Sequence, residues 1–425
     1  MLRRACLVAS IVVGLTLGAA ASAKPQPAKS ADVFIDSIGV NTHFGNSIFP
    51  ENAYANRQIG AKLAALGVRH IRDHSYNDAG VKAVGDLHRK NGVRATLVIG
   101  ETTRSPAEIV KLLKANPAYE AVEGLNEPDF AKRTYKSLAD TKKDYAATRA
   151  FQDELYAAVK ADAKLKSLPV LSPAMGRSNR SQLLIPIQFD VAALHRYAWE
   201  GSTALEPSAG LDNAIANMSE LRGERPLWAT ETGYYNHPAD HGRSAPENVV
   251  GKYTPRLLAE FFNRGVARTY LYELADQGPD KTAREQNFGL LRHDMTEKPA
   301  YVALKNLITL LKEPEVREFT PGQLDFTLSP DTGAVLGSLH HTLLNKSDGR
   351  FYLLLWQEEL SYDAEQKKDI DVPPRAIVLT LGQPYDVKTY LPNDSTKPIE
   401  TQAGVTTLKL SVPDQLLVVE MSRKN

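Results

Sequence analysis

The sequence has very little cysteine and no long apolar segment. Its single cysteine, Cys6, lies near the N-terminus, so the rest of the chain forms neither disulfides nor cysteine-ligated metal sites. The longest apolar stretch, from about residue 6 to residue 17, is shorter than the roughly 20 residues that a membrane-spanning helix needs. Stability must therefore come from a large apolar core, which a content of 43% hydrophobic residues can supply.

An excess of charge of one sign is also missing. Arg3 and Arg4 are the only charged residues among residues 1–23, so residues 24–425 carry 49 basic and 50 acidic side chains. A nearly neutral chain predicts neither a nucleic acid nor an anionic membrane as a partner. We expect the mature protein to be a monomer.

The N-terminal segment is typical of an export signal. Arg3 and Arg4 precede the apolar stretch, and Ala21-Ser22-Ala23 fits the small-x-small pattern of a signal-peptidase site. We predict that residues 1–23 are a signal peptide and that the mature protein is secreted or periplasmic, with no membrane anchor after cleavage. An uncleaved anchor is the alternative.

Short apolar runs alternate with amphipathic segments over the first 311 residues. Eight short runs predict strands, at residues 37–41, 67–73, 93–99, 121–126, 169–172, 189–195, 226–230 and 268–273. Helical spacing between them predicts an α/β fold, a (β/α)8 barrel over residues 24–312. A doubly wound open sheet is the competing architecture, but no glycine-rich phosphate fingerprint follows the first run.

After about Leu311 the pattern changes to strands without helices. Runs such as FYLLLWQE and VTTLKLSV are continuous or alternating in hydrophobicity, and turns such as KSDG and LPND separate them. We predict a C-terminal all-β, sandwich-like domain over residues 313–425.

Two of the predicted barrel strands lead into a glutamate. AVEGLN is followed by Glu127 and Pro128, which stops the strand because it has no amide hydrogen. PLWAT is followed by Glu231. Catalytic groups of such barrels lie at the C-terminal ends of the strands, so the two carboxyls would face each other there. Hydrolysis of a glycosidic bond needs such a pair, one carboxyl to protonate the leaving oxygen and one carboxylate to attack the anomeric carbon.

The motifs GLNEPD (124–129) and TETGY (230–234) resemble those of clan A glycoside hydrolases. This resemblance implies an acid/base, Glu127, after the fourth barrel strand and a nucleophile, Glu231, at the seventh. The C-terminal region resembles the β domain of families 5 and 39. FGLL and KPAY (288–291 and 298–301) resemble the segment that leads into the last barrel helix.

The same resemblance implies further binding residues. Asn126 corresponds to an asparagine that binds the sugar 2-hydroxyl, and Arg72 to a site arginine of the clan. His195 and Tyr197 match a pair whose tyrosine contacts the nucleophile. An ion pair of Arg72 with its neighbour Asp73, and a core position for His195, are the alternatives. Residues two apart on a strand point the same way, which favours a shared position for His195 and Tyr197.

Other candidates for sugar contact follow the ends of predicted strands: His43, Trp199, Tyr234 and Tyr272. The aromatic residues could equally serve in packing. Glu273 is a rival carboxylate, but it lacks the TETG context and departs from the tryptophan that many family 5 enzymes have at this point. NTHF (41–44) has one histidine where a metal barrel would need His-x-His, so we predict no metal and no cofactor.

We therefore predict an enzyme, a secreted retaining glycosidase that cleaves a poly- or oligosaccharide by double displacement. A non-hydrolytic carbohydrate-binding protein on the same barrel is the first alternative, although such decay usually replaces one carboxylate and both are present. A transglycosylase would share the intermediate and differ only in the acceptor.

Overall fold

The computed structural model describes residues 23–46, 52–75, 77–199, 205–237, 243–313, 315, 317–331 and 335–423. Apart from Ala23, the predicted signal peptide lies outside the described residues. None of the helices in these ranges is both long and apolar enough to cross a bilayer.

Eight parallel strands form a barrel. In chain order, the first to eighth barrel strands are Ile38–Thr42, His70–Asp73, Arg94–Ile99, Tyr119–Leu125, Val170–Leu171, Ala192–His195, Leu227–Thr232 and Arg268–Leu271. Each pairs with its neighbours, the eighth pairs with the first, and a parallel bridge from Leu171 to Val191 closes the ring between the fifth and sixth. The predicted (β/α)8 barrel is confirmed, because every predicted strand is present.

Helices connect the barrel strands. The α-helices are Ala31–Asp36, Ile59–Leu66, Asp78–Asn91, Pro106–Ala115, Ala146–Ala161, Leu211–Asn217, Ser219–Arg222, Glu247–Asn263 and Pro299–Leu311, and short 3₁₀ helices are Ala53–Ala55, Ser178–Leu184 and Arg284–Gln286. Local sequence fixes many of their ends. Ser105 and Glu108 form a capping box at the start of Pro106–Ala115, and Gly92, with φ +69°, ends Asp78–Asn91.

The C-terminal part is a β domain built on one eight-stranded sheet. Its order is Lys24–Pro27, Gln323–Pro330, Arg375–Tyr390, Leu417–Ser422, Phe351–Gln357, Leu339–Asn345 and Lys29–Ser30, with Glu400–Val412 paired to Arg375–Tyr390. Two small hairpins complete the strands, Thr134–Tyr135 with Leu138–Ala139 and Tyr362–Asp363 with Lys368–Asp369. Residues 24–30 thus precede the barrel in sequence but pair with the sheet of the β domain.

The strand Phe351–Gln357 shows how the two parts hold together. Alternate side chains point to opposite faces of a sheet. Tyr352, Leu354 and Trp356 pack in the core that the β domain shares with the barrel, whereas Leu353 and Leu355 lie in the core of the β domain itself. Both faces are apolar, which explains the continuous hydrophobic run in the sequence.

Candidate active site

A cleft of about 970 Å³ opens where the barrel strands end. Glu127 and Glu231 both line it, with His43 after the first strand, Tyr197 after the sixth and Tyr272 after the eighth. Residues from opposite sides of the barrel therefore share one cavity, as expected for the C-terminal face of this fold.

Arg72, in the second barrel strand, connects the groups at the bottom of the cleft. Its Nε and Nη2 donate to the two oxygens of Glu123, at 2.7 and 2.9 Å. Its Nη1 donates to Glu231 Oε1 at 2.7 Å and to Asn41 Oδ1 at 2.9 Å, and Nη2 donates to Asn126 Oδ1 at 2.6 Å. Burial by itself would lower the pKa of Arg72, but the carboxylates of Glu123 and Glu231 raise it. The guanidinium is a fixed positive charge that orients both carboxylates.

Asp73 has different partners, so it does not neutralise Arg72. Its carboxylate accepts from Thr42 Oγ1 at 2.7 Å, from the Phe44 amide at 2.9 Å and from the Ser75 amide at 2.5 Å. Burial raises the pKa of Asp73 to about 6. The Asp73 carboxyl therefore connects the ends of the first two strands. It does not form the ion pair with Arg72 that was the alternative.

Glu231 is held from two sides. Tyr197 donates its hydroxyl to Glu231 Oε2 at 3.0 Å, and Arg72 holds the other oxygen. Burial, reinforced by the charge of Glu231, raises the pKa of Tyr197 well above its ordinary value, so the hydroxyl keeps its proton. The Tyr197 ring is itself fixed, because it stacks on Trp199 with ring centroids 4.6 Å apart.

Glu127 is more open and its backbone is unusual. Its φ is +42°, in the left-handed region that residues other than glycine rarely occupy. His195 Nδ1 lies 2.9 Å from Glu127 Oε1 and 3.5 Å from Glu231 Oε2. Burial would lower the pKa of His195, but the charges of both glutamates and the hydrogen bond with Glu127 raise it. One carboxylate oxygen of Glu127 and one of Glu231 lie within 4.8 Å of each other.

The other predicted binding residues separate into two groups. His43, Asn126, Trp199 and Tyr272 line the cleft. Tyr234 instead lies in the core, where its ring packs against Tyr253 and its hydroxyl donates to the carbonyl of Leu205 at 2.9 Å. The structure therefore gives no support to the sugar contact predicted for Tyr234.

Glu273, the rival carboxylate, is completely buried behind the cleft wall. It accepts from Tyr54 Oη at 2.8 Å and from Gln277 Nε2 at 3.0 Å, and His43 Nε2 lies 3.3 Å away. Burial raises its pKa well above the ordinary value. Glu273 positions the wall around His43 and is not placed to attack a sugar.

Several residues of the site were missed by the sequence analysis. Glu123 is the clearest, because a charged residue inside the apolar run AVEGLN must have a buried partner, and here that partner is Arg72. His74, Phe130 and Arg177 also line the cleft. Their positions depend on loops that follow the strands, where sequence periodicity carries no signal.

Two groups of side chains in the described ranges have spacings that could hold a cation. They are Glu127, His195 and Glu231, and Glu260, His340 and Glu358. The first spacing is already explained by His195, which bridges the two glutamates. The absence of a metal stays a prediction.

Solved structures that are similar to this chain include family 39 glycoside hydrolases. A family 39 glycoside hydrolase from Bacteroides cellulosilyticus has a TM-score of 0.60 and 15% identity over 93% of this chain and 82% of that one. The GH39 enzyme from Xanthomonas axonopodis pv. citri gives the same values over 97% and 100% of the two chains. A GH39 β-xylosidase from Caulobacter crescentus has a TM-score of 0.58 and 15% identity over 94% and 98%.

At this identity the likeness concerns the fold. It confirms a (β/α)8 barrel with an attached β domain, and with it the predicted resemblance in architecture to clan A glycoside hydrolases. No protein-family model matches the sequence, and no curated protein matches it either.

Proposed function

We propose that this protein is a retaining glycoside hydrolase in which Glu231 is the nucleophile and Glu127 the acid/base. The observation that carries the proposal is the proximity of these carboxylates, since one oxygen of Glu127 and one of Glu231 lie within 4.8 Å of each other across the cleft. Retaining enzymes place the two carboxyl groups about 5 to 5.5 Å apart, whereas inverting enzymes need about 6.5 to 9.5 Å to fit a water molecule.

Glu231 has the surroundings that a nucleophile needs. Arg72 and Tyr197 together donate to both of its oxygens, which fixes the direction of attack. In the first step Glu231 attacks the anomeric carbon while Glu127 gives its proton to the leaving oxygen. A covalent glycosyl ester results.

Glu127 is placed for the exchange of protons with a substrate and with water. Its side chain is 25% exposed, compared with 10% for Glu231. In the second step Glu127 takes a proton from the water that attacks the ester, and the original anomeric configuration is restored. These steps need no metal or cofactor, because the carboxyls supply both the proton and the nucleophile.

A screen followed by two measurements tests the proposal. The mature protein is incubated with a panel of bacterial and plant polysaccharides, and new reducing ends identify the substrate. Proton NMR of the first product should then show the retained anomer. A 2-deoxy-2-fluoro glycoside of the same sugar should leave an ester on the peptide that contains Glu231, which mass spectrometry locates. An inverted anomer would refute the two-step mechanism.

We also propose that the protein is exported and acts as a monomer. Support for export comes from the arginine pair, the short apolar stretch and the Ala21-Ser22-Ala23 site. N-terminal sequencing of native protein should begin near Lys24. Recovery of an intact Met1 from the cytoplasmic fraction would contradict export.

A further inference from the structure

An exposed aromatic ring lies beside the proposed acid. Phe130 follows Glu127 by three residues, lines the cleft and is 55% exposed. Among the described residues it is the one aromatic side chain in the group of large hydrophobic residues that are exposed. An apolar ring of this size normally packs in a core, so its position in a polar cleft needs a reason.

The ring is held in place by the loop that follows the fifth barrel strand. The Phe130 amide donates to the Glu127 carbonyl at 3.0 Å, and the Gly176 amide donates to Asp129 Oδ1 at 2.7 Å. A Cβ on Gly176 would lie 2.1 Å from Phe130 Cε2, so only glycine lets the ring approach this closely. The position of Phe130 is therefore built by two loops, one of which carries Glu127.

Arg177 adds a charge next to the ring. Its guanidinium carbon lies 4.8 Å from the centre of the Phe130 ring, and its side chain is 53% exposed. The acid that it faces is Asp129, whose Oδ2 is 3.7 Å from Arg177 Nη1, beyond hydrogen-bond distance. Within the described residues no hydrogen bond involves the Arg177 guanidinium, so its N–H groups are available to a ligand in the cleft.

Further arginines line the cleft around this pair. The charged lining residues are four arginines, Arg177, Arg196, Arg243 and Arg284, and three acids, which are Glu285 and the two glutamates of the proposed mechanism. Away from those two glutamates the arginines outnumber the one acid. A local excess of positive charge in a concave site attracts anionic ligands.

We propose that Phe130 and Arg177 form the subsite for the leaving group, and that this subsite takes a sugar that carries a carboxylate, a uronic acid residue. The proposal rests on the proposed function, because Glu127 must meet the leaving oxygen and the leaving sugar therefore lies on the Glu127 side of the scissile bond. There the Phe130 ring stacks on a C–H face of the sugar. The planar Arg177 fork donates two parallel hydrogen bonds to the carboxylate.

Binding to a protein that cannot turn over tests this subsite. Glu231→Gln protein is titrated calorimetrically with tetragalacturonate, tetramannuronate and a hyaluronan tetrasaccharide, each beside its carboxyl-reduced form. At least one acidic oligosaccharide should bind about 10-fold more tightly than its reduced form, the effect of one pair of charged hydrogen bonds. Equal affinity within all three pairs, or no binding of any acid, would overturn the proposal.

Arg177→Gln in the same background should remove the preference for the acid. The matched control is Arg180→Gln, which removes the same charge from the same segment but lies outside the cleft lining, with its Nη1 3.4 Å from Tyr145 Oη. This control should keep the preference. A preference that survives Arg177→Gln would assign the carboxylate to another arginine and refute the subsite.

Phe130→Ala and Gly176→Ala test the ring. Loss of the ring, or its displacement by the added methyl group, should weaken the acidic and the reduced oligosaccharide by the same factor, because stacking does not depend on charge. Unchanged affinities in both variants would exclude the ring from the subsite. Failure of the proposed function is distinguishable, because it shows as a missing ester on Glu231 whether or not an acid is preferred.

Discussion

The ends of the fourth and seventh barrel strands each carry a glutamate, but the two glutamates differ in backbone conformation and in the number of their side-chain partners. Glu231 lies within the seventh strand, Leu227–Thr232, and is fixed by Arg72 and Tyr197. Glu127 lies beyond the end of the fourth strand with φ +42°, and its carboxylate has one close partner among the described residues, His195. One carboxylate is immobilised by two donors, and the other is presented at the edge of the cleft.

This difference fits a division of labour between the two strands. A nucleophile must be ionised and aimed at one atom, so fixed donors assist it. An acid/base must give up a proton and take it back from water, so it benefits from access to solvent and from few permanent donors. The same residue type thus serves two roles, and its surroundings decide which.

Replacement of the fixed carboxylate should have the largest effect. Glu231→Gln keeps the shape of the side chain but removes the nucleophile, so turnover should fall by about 10⁴-fold while binding of the oligosaccharide persists. Reducing-end assays and calorimetry on the same preparation measure the two properties. Near-normal turnover would break the comparison, because the seventh strand would then not carry the nucleophile.

The buried charges around Glu231 predict a large effect on stability. Arg72→Met leaves Glu123 buried without the guanidinium that donates to both of its oxygens, which should lower the free energy of unfolding by about 3 to 5 kcal/mol. Arg72→Met/Glu123→Met removes both charges of that pair and should recover part of the loss. Urea unfolding of the two variants decides this. A double variant that is no more stable than the single one would show that Glu123 does not depend on Arg72.

Replacement of the more exposed carboxylate, Glu127, should slow turnover less than replacement of Glu231, and an added anion should restore part of the activity. Glu127→Ala should lower kcat by roughly 10²- to 10⁴-fold, the usual contribution of a general acid/base. Azide should restore the second step, because a small anion attacks the glycosyl ester without a general base. The expected product is a glycosyl azide of retained configuration, identified by NMR. An azide of inverted configuration would exclude an ester on Glu231.

The sequence predicted the barrel and both glutamates because these features are encoded locally. A buried strand is a short apolar run, and the rule that functional groups follow such runs needs no knowledge of other elements. The local sequence does not distinguish Trp199 from Tyr234. Both follow strand ends, but only Trp199 lines the cleft. Which aromatic faces the ligand depends on the packing of neighbouring loops.

The pairing of strands that are far apart in the chain could not be predicted from the sequence either. Lys24–Pro27 pairs antiparallel with Gln323–Pro330, almost 300 residues away in the chain, and neither segment has a feature that specifies the other. Glu123 did leave a signal, a charge in an apolar run, but the identity of its partner required the register between strands. The Phe130–Gly176 contact likewise joins two loops that no periodicity connects.

His195, which lies between the two carboxylates, extends the comparison to the dependence of stability on pH. The pKa of His195 is raised, so its contribution to stability is complete below the unfolded pKa of about 6.5 and is lost as the pH rises through the folded value. His195→Gln should therefore lower the melting temperature more at pH 5 than at pH 9.

His74 in the same cleft is a matched control with the opposite sign. Burial, reinforced by Arg72, lowers its pKa well below the ordinary value. The native state then opposes protonation of His74, so His74→Gln should cost less stability at pH 5 than at pH 9. Thermal unfolding of both variants at the two pH values measures the difference, and the same pH trend in both would contradict these assignments.

The smallest expected effect concerns the backbone of Glu127. At φ +42° a residue with a Cβ is strained, whereas glycine is not, and relief of such strain contributes on the order of 1 kcal/mol. Both Glu127→Gly and Glu127→Ala lose the carboxylate and its contact with His195, so their difference isolates the backbone. The glycine variant should be more stable than the alanine variant by about 1 kcal/mol in urea unfolding. Equal stabilities would mean that the fourth strand holds its glutamate without strain, and that the contrast with the seventh strand lies in the side-chain partners alone.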